Sequence, residues 1–76
     1  MSTIFEEATH QSPGHIAVEY TRGFPASEWY EYDGMVVRAP LHNAIDADGY
    51  RIGRWECTRA YFDAKRDYLT QRFDLR

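Results

Sequence analysis

Asp33 and Gly34 divide the run EWYEYDGMVVRAP, residues 28–40, into two stretches rich in aromatic and β-branched residues. An Asp-Gly pair between such stretches suits a two-residue type I′ hairpin turn, whose central residues both need positive φ. A turn centred there fixes the register, because a slip of one residue would turn every side chain to the other face. Tyr32 then faces Met35, Tyr30 faces Val37 and Glu28 faces Ala39 on one surface. Glu31 faces Val36 and Trp29 faces Arg38 on the other. The first surface is nearly all apolar and is predicted to be the core. The second becomes a mixed platform carrying a Trp–Arg cross-strand pair.

The flanking segments extend the hairpin into a sheet. HIAVEYTR (15–22) alternates, with Ile16, Val18 and Tyr20 against Ala17, Glu19 and Thr21, which is the pattern of a half-buried strand. GFPAS (23–27) is predicted to be a connection, since Pro25 has no donor for a ladder. Pro40 ends the next strand, and the run DADG (46–49) makes a turn. YRIGRWEC (50–57) supplies a further strand in which Gly53 allows a bulge. Thr58 caps a helix over RAYFDAKRDYLTQRF, about 59–73. On that helix Phe62, Leu69 and Phe73 share one face, while Asp63, Asp67 and Asp74 form a solvated stripe. The expected fold is a small two-layer α+β domain, a three- to four-stranded antiparallel sheet packed against one C-terminal helix.

At 76 residues the chain makes one domain, with a thin stability margin. Residues 1–14 read as a loosely ordered arm and 15–76 as the domain. The single cysteine, Cys57, excludes an intramolecular disulfide, and His10, His15 and His42 show no ligand spacing. Twelve Phe, Tyr and Trp residues therefore carry the packing, with a homodimer as the alternative source of stability. The first residues, MSTIFEEATHQ, lack a basic segment and an apolar run, so a cytoplasmic protein with no membrane span is expected.

Catalytic chemistry finds little footing. The sequence has no Walker A loop, GxGxxG or CxxC. An EF-hand frame with Gly49 at its sixth position puts Trp55 where a bidentate Glu belongs. Cys57 precedes a helix cap, but its apolar surroundings favour an inert thiol. The expectation is a non-enzyme with no cofactor and no metal.

Two functional classes remain. Trp, Tyr and Arg dominate interface hot spots, and periodicity places Trp29, Glu31, Arg38, Arg51 and Trp55 on exposed sheet positions. Tyr61, Lys65, Tyr68 and Arg72 form a ridge on the helix, where the two cations either lie along the core edge or meet a partner. These nine residues are the candidate partner-binding set. They suggest a protein-binding module, a stoichiometric inhibitor or regulator of a protein or protein–nucleic acid complex. Phage- and mobile-element-encoded inhibitors, anti-CRISPR proteins among them, share that general character. The alternative is nucleic-acid binding. Strand, turn, strand, turn, strand, helix across EWYEYDGMVVRAP and DGYRIGRWECTRAYFDAKRDYL is similar in outline to AP2-type and integrase arm-binding domains. That resemblance implies a basic sheet face, whereas the hairpin holds Glu28, Glu31 and Asp33 with only Arg38. Residues 1–50 carry eight acids against two arginines, and residues 51–76 seven bases against four acids. The direction of Arg38, Arg51 and Arg54 discriminates: lining one exposed face they favour nucleic acid, and paired with Glu19, Glu28 and Glu31 across the sheet they favour protein.

Overall fold

A computed structural model describes residues 14–76. Four antiparallel strands follow one another: β1 (His15–Thr21), β2 (Phe24–Tyr32), β3 (Met35–Pro40) and β4 (Trp55–Thr58), in the spatial order β1-β2-β3-β4. Two short helices, α1 (Arg59–Ala64) and α2 (Arg66–Phe73), cover one face of this sheet. The domain is a small two-layer α+β fold. The expected loose arm lies, apart from Gly14, outside the described residues.

The central hairpin has the register read from the sequence, from Tyr32 opposite Met35 to Glu28 opposite Ala39. Asp33 and Gly34 take positive φ of 50° and 83°. The Gly34 amide donates to the Glu31 carboxylate at 2.8 Å, and the Gly34 carbonyl accepts from Arg59 N–H at 2.7 Å. The turn thereby holds the start of α1.

Three expectations about element boundaries need correction. The segment 23–27 is mostly strand, because the β1–β2 turn is the pair Arg22-Gly23, with φ of 54° and 85°. Pro25 is tolerated at a register shift opposite Tyr20, where the ladder is already irregular. The strand predicted over 50–57 is shorter, since pairing with β3 begins only at Trp55 opposite Arg38. The Asp46 carboxylate holds the amides of Asp48 and Tyr50, both at 2.9 Å, and this tight loop keeps the chain off the sheet. The single helix is a pair, because Lys65 leaves helical dihedrals at φ −110° and ψ 23°. No Gly or Pro accounts for that break. Thr58 caps α1 as expected, its hydroxyl accepting from Tyr61 N–H at 3.0 Å.

After α2, Asp74 turns the chain through a left-handed conformation, φ 52°. Residues 74–76 then run beside β1, with Val18 and Arg76 exchanging bonds of 3.0 and 2.9 Å and Tyr20 N–H reaching the Asp74 carbonyl at 3.1 Å. This covers the outer edge of β1 and seats Leu75 in the core.

The core itself is Ala17, Trp29, Val36, Phe62, Leu69 and Leu75, flanked by Ile16, Trp55, Cys57 and Phe73. The two faces of the hairpin are therefore the reverse of the expectation. Trp29 has no exposed surface. Its ring lies 5.1 Å from Phe73, 5.5 Å from Trp55 and 6.1 Å from Phe62. The polar groups of the supposed platform are satisfied internally. Glu19, on the same face of β1, accepts from Trp29 Nε1 at 3.0 Å. It also accepts from Arg38 Nε at 2.7 Å and from the terminal guanidinium nitrogen at 2.5 Å. One buried carboxylate thus neutralises the arginine and caps the indole, and the face closes.

Candidate functional site

With the helices on the Trp29 face, strand alternation turns Val18, Glu28, Tyr30, Tyr32, Met35, Val37 and Ala39 to the other side of the sheet. No described element covers that side. Tyr32 is 52% exposed and Met35 36%. The Tyr30 and Tyr32 rings stack at 5.8 Å, and the His15 ring meets Tyr30 edge-on at 5.4 Å. His15 Nε2 is 2.5 Å from a Glu28 carboxylate oxygen, and this pair braces the edge of the aromatic cluster. Burial pushes the Tyr30 hydroxyl above its ordinary range, with further contributions from Glu28 and Tyr32.

Acids predominate on this face, with Glu28 held by His15 and Glu56 loosely paired with Arg54. Glu56 stands opposite Val37 on it, and Asp33 sits at the tip of its hairpin. Arg38 has gone inward to Glu19, and Arg22 in the β1–β2 turn donates to the Ala47 carbonyl at 2.6 Å. The result is an apolar and aromatic surface bordered by carboxylates.

The nine candidate residues separate accordingly. Trp29 has no exposed surface and Arg38 is half-buried against Glu19, so neither stands on the open platform expected for them. Glu31 is half-buried and holds the hairpin turn. Trp55 is half-buried against Trp29 and Phe73. Arg51, Tyr61, Lys65, Tyr68 and Arg72 are exposed. Arg54 pairs loosely with Glu56 at 3.7 Å. Tyr30, Tyr32, Met35 and Val37, which the turn register assigns to the core, lie instead on this other face. The signal that locates them is Glu19, whose place in the alternation puts an acid on the same face as Trp29 and Arg38.

The remaining chemistry is sparse. A groove of about 530 Å³ between β1, the 46–48 loop and the end of α2 gathers Glu19, Arg22, Arg38, Asp46, Asp48, Arg72 and Asp74. Its charges offset one another, with Arg38 committed to Glu19 and Arg22 to a carbonyl. A second groove of about 380 Å³ has an apolar rim of Phe24, Leu41 and Ile45. Burial pushes the Cys57 thiol up, outweighing a backbone hydrogen bond from Phe62 that acts the other way, so little reactive thiolate forms. Among the described residues no three His, Cys, Asp or Glu side chains cluster as metal ligands. No helix among them is long and apolar enough to cross a membrane.

The chain matches no protein-family model, no curated protein and no solved structure.

Proposed function

We propose that this domain is a small, non-enzymatic protein-binding module, a stoichiometric inhibitor or regulator that works in the cytoplasm by seating on a protein partner the sheet face that no described element covers. The observation that carries this reading is the cluster on the face opposite the helices, in which Tyr32 and Met35 are exposed and Tyr30 and Val37 half-buried beside them. A contiguous apolar patch with aromatic anchors is the usual core of a binding surface. The domain measures 37 × 31 × 18 Å, so its broad face has room for the roughly 800 Å² per partner of a standard interface.

Charge defines the partner. Glu28, Glu56 and Asp33 border the patch and no Lys or Arg of the strands points to it, which favours a protein surface with Lys or Arg set among apolar residues. The same distribution disfavours phosphate on this face. Of the three discriminating arginines, Arg38 supports this reading through its pair with Glu19, while Arg54 lies beside Glu56 at 3.7 Å and Arg51 is exposed.

A photoreactive phenylalanine analogue placed at position 32, and in parallel at position 71, tests the proposal in extracts of the source cells. Position 32 should crosslink one protein that position 71 does not. That protein, once purified, should bind the domain, and Val37→Lys should weaken binding at least tenfold without lowering the melting temperature. Equal labelling from both positions, or unaltered affinity with Val37→Lys, would refute it. A crosslink only to a second copy would replace it with a homodimer interface.

A further inference from the structure

We infer that the outward flank of the helix layer is a second binding site, for single-stranded nucleic acid, independent of the sheet face. Tyr68 and Arg72 lie one turn apart on one face of α2, Lys65 stands at the break just before it, and Tyr61 precedes Lys65 by one turn on α1. Tyr61 is 45% exposed and Tyr68 54%, and both cations are exposed between them. No acid of the helices stands between these four residues, and Arg72 at the far end also borders the groove that holds Asp46, Asp48 and Asp74. Asp63 is held by Arg59 at 2.9 Å, and Asp67 lies about 100° round the helix from Tyr68. Among the described residues neither Lys65 nor Arg72 has an ion-pair partner.

Arg72 joins Tyr68 to the aromatic edge of the core. The Arg72 guanidinium donates to the Tyr68 hydroxyl at 3.4 Å and lies 5.2 Å over the Phe73 ring. Phe73 in turn is 5.4 Å from half-buried Trp55. Aromatic faces alternating with unpaired cations provide the two elements of single-strand recognition, stacking platforms for bases and charges for phosphates. An acidic peptide would use the cations and leave the rings idle. A duplex keeps its bases stacked within and offers the tyrosines nothing to stack on.

The test is fluorescence anisotropy of a 5′-labelled oligothymidine of fifteen nucleotides, titrated with the whole chain at 50 and 200 mM salt. Two neutralised phosphates give a slope near −1.4 on logarithmic axes, so binding should weaken about sevenfold between those salts. Tyr61→Leu and Tyr68→Leu should each weaken it about fivefold or more at an unchanged melting temperature, because stacking is lost. Lys65→Glu combined with Arg72→Glu should abolish binding, Gln71→Ala should leave it intact, and a duplex of the same length should bind less well. Absence of binding at 50 mM salt would overturn the inference, as would binding that survives the double charge reversal. Competition by polyglutamate as effective as that of unlabelled oligothymidine would do so too, since it would show that stacking contributes nothing.

Discussion

A single buried acid decides which way the sheet faces. Glu19 is 3% exposed and satisfies both Arg38 and the Trp29 indole. Such a pair is a weak source of net stability when intact, yet removing one partner strands a charge in a low-dielectric interior. Arg38→Ala should therefore lower unfolding free energy by about 3–5 kcal/mol, measurable by urea titration with tryptophan fluorescence. Trp29→Ala should cost a comparable 3–5 kcal/mol through the cavity it leaves. A domain this small has little more than that to lose, so its thermal transition should lose cooperativity in circular dichroism. The sequence read Trp29 opposite Arg38 correctly but placed the pair in solvent. Pairing within a hairpin follows from local turn chemistry, whereas the buried side depends on whether a third strand brings a carboxylate to meet the arginine.

Local chemistry dictates most of the elements. The Asp33-Gly34 turn and the Thr58 cap were legible because each needs only residues a few positions apart. Thr58→Ala should destabilise the domain by about 1 kcal/mol, read as a lower midpoint in the same titration, because the Tyr61 amide loses its acceptor. Pro25 was misleading. A proline argues against a regular ladder, but a register shift opposite Tyr20 supplies an irregular one. The shortened β4 was also hidden, because the loop that displaces it is held by long-range bonds such as Ile52 N–H to the Ala44 carbonyl at 3.0 Å and Leu41 N–H to the Ala26 carbonyl at 2.9 Å. Tyr61, Lys65, Tyr68 and Arg72 lie off the Phe62–Leu69 face in any helical reading, and all four are exposed.

For the molecule as a whole, the two layers present different chemistry to solvent, acidic and aromatic on the sheet, cationic and aromatic on the helix flank. Its response to alkali follows from groups in both the core and the sheet face. Burial raises the Cys57 thiol above its ordinary 9.0 and the Tyr30 hydroxyl above its ordinary 10.0. In the unfolded chain these groups ionise first, so the folded state keeps its full advantage below those ordinary values and loses it as pH climbs past them. The melting temperature should hold steady through neutral pH and fall above about pH 9, with the onset of the fall moved upward by Cys57→Ser. A scan by differential scanning fluorimetry from pH 7 to 11 reads this directly.

The strip of chain at 74–76 beside β1 has a kinetic meaning. Neighbouring strands β1 to β3 can zip through tight turns, but the seam between Val18 and Arg76 joins almost the two extremes of the described chain, and loops of that length close late. Leu75 anchors the seam in the core, so it cannot peel away alone. The amides of Val18 and Tyr20, though they belong to an outer strand, should exchange with deuterium only as fast as the entire domain opens.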